Sequence, residues 1–312
     1  MESEEFGNYS SISFDNNVAQ RVIPDVVFTL ICLVAAMANT ILIYIIFKFR
    51  RLHTVPNFFL ANWAIADLAT LLTTPSTYRL IAMLDNISLS GMFMCSLYGI
   101  GAAAQVTLII YVFLLTLDWC LAAYFENASM KFRKYTKFYI FAIWIFMFLF
   151  LCLSIVFCIN RHFFHGLHAF MVVFGFMGLF LFVTVLQICR AVRKCRRRTL
   201  NYPTIMLTIT TSFVLSWFAA FVNVFAMFGF GIFHRSVEYI SATLLFCTSI
   251  IVFIIFYRGS PDFQACLSRL FRRNKINYEE ADFNFHSTGR KPIVKNISHC
   301  SFNNKEQNVF VC

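Results

Sequence analysis

This sequence is poor in charged residues. Only 13% of its 312 residues are Asp, Glu, Lys or Arg, whereas a soluble domain has about 25%. Its hydrophobic fraction is 59% and its mean hydropathy is +0.70. One globular core of this length could not bury so much apolar surface, so the composition excludes a soluble enzyme and a disordered chain. It predicts an integral membrane protein.

The sequence also lacks the alternating strands, about ten residues long, that a transmembrane barrel requires. Instead it holds seven apolar stretches, each long enough to cross a hydrocarbon core of about 30 Å as a helix. In chain order, spans one to seven are Val26–Phe49, Asn57–Met83, Cys95–Tyr124, Phe138–Ile159, His168–Val192, Pro203–Phe233 and Val237–Tyr257. The pattern predicts an all-α membrane protein, a seven-transmembrane helix bundle over residues 26–257.

The two ends of the chain are polar. Residues 1–25 have no basic stretch before an apolar run, so we expect an extracellular tail without a cleaved signal peptide. Residues 258–273 predict an amphipathic interfacial helix, in which Cys266 is a candidate for palmitoylation or a bare thiol. Residues 274–312 predict a disordered cytosolic tail.

The distribution of Lys and Arg predicts the orientation. Twenty-two of these cations flank the inner ends of the spans and four lie on the other side. The positive-inside rule therefore places the amino terminus outside the cell and the carboxyl terminus in the cytosol. The net charge of +11 then reflects topology rather than nucleic-acid binding. Asn8 and Asn86 lie in outward-facing sequons and are candidate glycosylation sites.

Acidic side chains are rare at membrane depth, and no Lys lies there. The two acids well inside the spans are Asp67 and Asp118, and such residues are costly and usually functional. The absence of a buried Lys excludes a retinal Schiff base, and so few ionisable groups disfavour an ion-coupled carrier. The halves of the chain show no repeat, which disfavours an inverted-repeat transporter. We expect no cofactor.

Spans one and two carry the most specific motif. Residues 57–68 read NFFLANWAIADL, and Asn39 follows Ala38 in span one. The chain here resembles the rhodopsin-like G-protein-coupled receptors, whose second span reads Asn-x-Phe-Leu-x-x-Leu-Ala-x-Ala-Asp-Leu. Trp63 stands where that family has Leu.

The resemblance continues with divergence in the later spans. Trp144 matches the single Trp of the family's fourth span. Phe213 and Trp217 match its Phe-x-x-Cys-Trp-x-Pro motif, in which Ala219 replaces the proline. Asp118-Trp119-Cys120 stands where the family has Asp-Arg-Tyr, and residues 252–256 stand where it has Asn-Pro-x-x-Tyr.

The resemblance implies a switch in the bundle. Asp67, with Asn39 and Ser249, would bind sodium, or else would be a protonated acid hydrogen-bonded between helices. Trp217, next to Phe213, would be a movable wedge below the ligand, or else core packing.

The inner end of span three departs from the family. In the family the Asp restrains the neighbouring Arg, which also contacts the G protein, and that Arg is Trp119 here. Asp118 could instead face a basic loop residue such as Arg133. If the protein signals, we expect Arg193–Arg198 and the Trp119 ring to form the partner surface. The resemblance also implies a disulfide between Cys95 and Cys158.

The outer half of span three holds no acid, so a monoamine ligand is disfavoured. Most charged residues and histidines at the outer ends could simply form a solvated rim, with Arg79 beside Tyr78 in span two as the exception. The candidate ligand-binding residues lie in the outer half of the bundle. They are Tyr78, Arg79, Gln105, Trp217, Asn223 and Glu238.

Together these features predict a plasma-membrane receptor rather than an enzyme. It would sense a peptide or a small non-amine molecule outside the cell and signal to a heterotrimeric G protein. The alternative is a seven-helix, receptor-like binding or scaffold protein that does not signal, and a transporter is a distant third. Only the bilayer, the ligand and the G protein are expected partners.

Overall fold

The structure is a computed structural model that describes residues 16–73, 91–156, 161–195, 204–231 and 235–271. Nearly all of these residues are helical, and the described part contains no strand. Seven of the helices are long and apolar enough to cross a membrane. The predicted all-α seven-helix bundle is therefore confirmed.

Within the described residues the observed helices match the predicted spans and extend several of them. Residues 74–83 of predicted span two, 157–159 of span four, and 203 and 232–233 of span six lie outside the described residues. Spans one to seven are the helices Asn16–Lys48, Val55–Leu72, Gly91–Tyr124, Thr136–Val156, Arg161–Cys195, Ile205–Phe230 and Arg235–Gly259. Two short α-helices and a three-residue 3-10 helix, Arg50–Leu52, accompany them in the described ranges. We call Glu126–Lys134 the loop helix and Pro261–Phe271 the tail helix.

Span three occupies the centre of the bundle. It packs against spans two, four, five and six and against the loop helix. Its apolar stretch is 61% buried, whereas that of span four is only 17% buried. Large apolar side chains on span four, including Phe138, Phe141 and Phe148, are exposed. An exposed apolar face of this kind on a membrane helix fits contact with lipid.

Glycines allow close helix contacts at two junctions. A Cβ atom on Gly101 of span three would lie 2.9 Å from Thr73 Oγ1, just after span two. A Cβ atom on Gly259, at the end of span seven, would lie 2.5 Å from Ile205 Cδ1, at the start of span six. Because real Cβ contacts are longer than this, a larger residue at either position would require the neighbouring side chain to shift.

The two short helices are anchored by aromatic side chains. Phe132 of the loop helix is buried and stacks on Tyr139 with ring centroids 5.0 Å apart. Phe263 of the tail helix is fully buried, with its ring centroid 4.7 Å from that of Phe256. The predicted helix after span seven is therefore present, and it packs through Phe263.

The chain divides into two compact units, Met1–Ser268 and Arg269–Cys312. The first holds the seven spans, the loop helix and the first eight residues of the tail helix. Of the second unit, the structure describes only Arg269–Phe271, the last turn of the tail helix.

Candidate functional site

A buried polar cluster joins spans one, two and seven. Asn39 Nδ2 donates a hydrogen bond of 2.6 Å to Asp67 Oδ2, and the Ser249 hydroxyl donates a second bond to the same oxygen. All three residues are buried. The structure thus brings together the three residues expected to form this group, although they are 28 and 182 positions apart in sequence.

The cluster is built so that one carboxylate oxygen holds both donors. Asp67 Oδ1 receives no hydrogen bond from the described residues. Val252, where the related family has Asn, is fully buried and offers no oxygen from its side chain. In the described part of the chain, no group of three or more His, Cys, Asp or Glu side chains is arranged to hold a metal. The cluster therefore offers a cation the Asp67 carboxylate, the Ser249 hydroxyl and the Asn39 amide oxygen, a thin ligand set with one charged group.

A second buried carboxylate lies at the inner end of span three. Arg133 Nε lies 2.9 Å from Asp118 Oδ1, and Arg133 Nη2 lies 3.1 Å from Asp118 Oδ2. This two-pronged geometry is the strong form of an Arg–carboxylate pair. Of the two readings of Asp118 that the sequence left open, the structure has the pair with Arg133.

Trp119 does not line the inner surface. Its side chain is only 1% exposed, and its ring meets the edge of the Tyr124 ring at a centroid distance of 6.0 Å. The Arg193 guanidinium carbon lies 4.1 Å from the centroid of the same Tyr124 ring, a cation–π contact. The expectation that the Trp119 ring forms part of a partner surface was therefore wrong, because the ring packs inside the bundle.

An aromatic column links spans two and six. Phe213 stacks on Trp217 with ring centroids 4.8 Å apart, and Trp63 meets the Phe213 ring edge-on at 6.4 Å. All three side chains are buried. Trp63 Nε1 has no hydrogen-bond partner among the described residues. In the sequence Trp63 is only a departure from the family pattern, so its contact with the Phe213 ring was not predicted.

Trp144 of span four also has a partner in span two. Its Nε1 donates a hydrogen bond of 2.9 Å to Asn62 Oδ1. Asn62 stands at a variable position of the family pattern over residues 57–68, and no contact was predicted for it. Its polar side chain within an apolar span was the available signal.

The outer candidate residues are only partly covered by the described ranges. Gln105 and Asn223 are half-buried, and neither makes a hydrogen bond to the described residues. Trp217 is buried in the aromatic column. Glu238 lies on span seven, but its side chain is not described, and Tyr78 and Arg79 lie outside the described residues. The structure therefore does not assemble these six residues into one site.

The sequence predicted three kinds of covalent modification: a disulfide, glycosylation and palmitoylation. Cys95 is disulfide-bonded, but Cys158 lies outside the described residues, so the pairing of the two stays a prediction. Asn8 and Asn86 also lie outside them. Cys266 is outside any disulfide and only 2% exposed, which does not favour acylation in this conformation. Palmitoylation there stays an untested prediction.

Comparison with known proteins links part of the chain to receptors. No protein-family model matches it. It is 28% identical over 133 residues to the somatostatin receptor type 5 of Mus musculus, covering 41% of this chain and 36% of that protein. It is 29% identical over 121 residues to the C-C chemokine receptor type 3 of Macaca mulatta, covering 38% and 33%.

A viral receptor gives a similar match. The chain is 28% identical over 120 residues to the G-protein coupled receptor E1 of equine herpesvirus 2, covering 38% of this chain and 31% of that protein. The chain thus spans about a third of the length of each of these relatives. Seven helices long and apolar enough to cross a membrane support a multi-pass membrane protein, and the relatives that match part of the chain are receptors.

Proposed function

We propose that this chain is a divergent rhodopsin-like receptor of the plasma membrane that senses an extracellular ligand and signals to a heterotrimeric G protein. The observation that carries the proposal is the Asn39–Asp67–Ser249 cluster. It joins three spans through the residues by which spans one and two resemble the family. A two-state bundle coupled to a ligand on one side and a partner on the other is the physical basis of such signalling.

In the proposed receptor, the Asn39–Asp67–Ser249 cluster connects spans one, two and seven. Two donors from different helices converge on one carboxylate oxygen, so a movement of span one or span seven must break or remake a hydrogen bond. Polar links between helices in a membrane favour a few discrete arrangements over continuous sliding. We assign Asp67 this structural role ahead of sodium binding, because the described ligand set for a cation is thin.

The aromatic column has the second role. Trp217 and Phe213 stack within span six, and Trp63 meets Phe213 from span two. A ligand that moves the Trp217 ring would therefore disturb span two, four residues from Asp67. Ala219 replaces the family's proline, so span six lacks a proline-induced kink there and we expect it to tilt as one helix.

The ligand is assigned by class only. Span three has no acid in its outer half to pair with an amine. Two of the relatives are named as receptors for somatostatin and for C-C chemokines. These two observations favour a peptide over a monoamine, and Gln105 and Asn223 are the described polar candidates to contact it.

A seven-helix protein that binds without signalling is the second candidate. It is favoured by one specific observation, the replacement of the family's Arg by the buried Trp119. In a protein that does not signal, the Arg133–Asp118 ion pair stays formed and does not break during an activation step.

One cell assay separates the two candidates. The full chain is expressed with an amino-terminal epitope tag, and dissociation of each class of G protein is measured with and without candidate peptides. Tag labelling on intact cells reports both surface expression and the outward amino terminus. The receptor proposal predicts surface labelling together with activation of at least one G-protein class above that of untransfected cells. Surface labelling without activation of any class would leave only the non-signalling candidate.

A further inference from the structure

Residues 131–137, at the end of the loop helix and the start of span four, form a segment that holds four cations, and these cations differ in their surroundings. Arg133 is paired with Asp118 and half-buried. Lys131, Lys134 and Lys137 are exposed. The segment therefore has one cation that fastens the loop helix to the bundle and three that face outward.

The three lysines have no counter-ion among the residues that the structure describes. The ion pairs among the described residues are Arg133–Asp118 and Arg51–Asp262, and neither involves a lysine of this segment. Glu126 is the one acid in the loop helix, in its first turn, and span four from Thr136 to Val156 has none. Three ammonium groups within seven residues repel one another, so an external anion is favoured at this surface.

The lysines adjoin an apolar face that fits lipid. Met130, Tyr135, Phe138 and Phe141 are all exposed large hydrophobic residues. Lys137 precedes Phe141 by four residues on the helix of span four, so the two side chains lie on one face. Positively charged side chains here lie beside exposed apolar side chains. Proteins have this arrangement at the boundary between lipid headgroups and acyl chains.

We propose that Lys131, Lys134 and Lys137 form a binding strip for anionic phospholipids of the adjacent leaflet. Their ammonium groups bind the headgroup phosphate and carboxylate oxygens, and the acyl chains lie along Phe138 and Phe141. Lipid bound to the strip holds the exposed side of the loop helix at the membrane surface. The Arg133–Asp118 pair holds the buried side of the loop helix to span three. This inference requires a membrane but not signalling, so it stands or falls independently of the receptor proposal.

The test uses the full chain in nanodiscs made of phosphatidylcholine mixed with phosphatidylserine. The nanodiscs are dissociated in native mass spectrometry, and the molecules of each lipid that stay bound to the protein are counted. We expect wild type to retain phosphatidylserine in preference to phosphatidylcholine. Juxtamembrane lysines contribute about fivefold each to such binding, so Lys131→Gln, Lys134→Gln and Lys137→Gln together should abolish the preference. Replacing the same residues by Arg should keep it.

A charge-matched variant separates a local strip from general basicity. Lys48→Gln, Arg50→Gln and Arg258→Gln remove the same charge from exposed residues at the ends of spans one and seven. These should retain most of the preference. The proposal is overturned if wild type shows no preference for phosphatidylserine, or if the matched variant loses the preference as completely as the strip variant does. It is also overturned if soluble glycerophosphoserine displaces the bound lipid, since that would indicate a headgroup site without a membrane component.

Discussion

Arg133 and Asp118 form a two-pronged ion pair between the loop helix and the inner end of span three. The Asp118 side chain is 1% exposed and that of Arg133 is 23% exposed. The carboxylate is therefore satisfied by a residue fifteen positions away rather than by its neighbour. In the family that this chain resembles, the neighbouring position holds the Arg, and here Trp119 fills it. The loop helix consequently has a fixed link to span three.

The first prediction concerns this pair. Arg133→Gln should destabilise the folded protein, because it leaves the Asp118 carboxylate buried without its cation. Breaking a buried pair costs about 3–5 kcal/mol, and the partial exposure of Arg133 places the expected loss near the lower end of that range. Thermal unfolding in detergent measures it.

The control is a double-mutant cycle. Combining Arg133→Gln with Asp118→Asn should cost clearly less than the two single losses added together, because the second change removes the stranded charge. Strictly additive losses would mean that the two side chains do not interact in the folded protein.

The second prediction concerns the polar cluster. Asp67→Ala leaves Asn39 Nδ2 and the Ser249 hydroxyl buried without their acceptor, at a cost of about 1–3 kcal/mol for each unsatisfied group. Asp67→Asn keeps an acceptor oxygen and should lose less. Unfolding in sodium chloride and in choline chloride tests the alternative role. We expect equal melting temperatures in the two salts, and a sodium-dependent rise that Asp67→Asn abolishes would contradict the purely structural role.

The third prediction concerns the junction of spans six and seven. Gly259→Ala puts a methyl group 2.5 Å from Ile205 Cδ1, and overpacking of this kind costs about 1–3 kcal/mol. Gly178→Ala is the matched control, since a Cβ atom there meets nothing within 4 Å and alanine favours a helix. Melting temperatures of the two variants should move in opposite directions or differ clearly. Equal shifts would show that Ile205 moves aside freely.

The fourth prediction concerns Trp119. Trp119→Arg introduces a guanidinium beside Asp118, where it competes with Arg133 for the carboxylate. It also removes the ring that meets Tyr124. We expect a change in basal G-protein activation, in either direction, at equal surface expression. Trp119→Phe retains an aromatic ring and should stay close to wild type. Unchanged activation in Trp119→Arg would show that this position does not bias the two states.

Much of the fold was predictable because hydrophobic length is a strong local signal. In the described ranges each apolar stretch is a helix, and the resemblance of spans one and two to a family implied that Asp67 lies near Asn39 and Ser249. The charged residues of the loops were harder. Arg133 was only one of several loop cations that could pair with Asp118, and nothing in the sequence distinguished it from Lys131 or Lys134.

The aromatic contacts could not be predicted for a different reason. Eighteen per cent of the chain is Phe, Trp or Tyr, so periodicity alone does not select which rings meet. Trp63 and Tyr124 gained their partners from the way spans two, three, five and six pack together. The burial of Trp119 likewise follows from the central position of span three, which a linear sequence does not display.

The most direct test of the receptor proposal is nucleotide exchange by purified heterotrimeric G proteins. The full chain in nanodiscs is mixed with one heterotrimer at a time, and the rate of GTP-analogue binding is compared with that of empty nanodiscs. The account predicts that wild type accelerates exchange on at least one heterotrimer and that Asp67→Ala, at equal folded concentration, alters that rate. Exchange at the empty-nanodisc rate for every heterotrimer, with and without the peptides active on the named relatives, would contradict it.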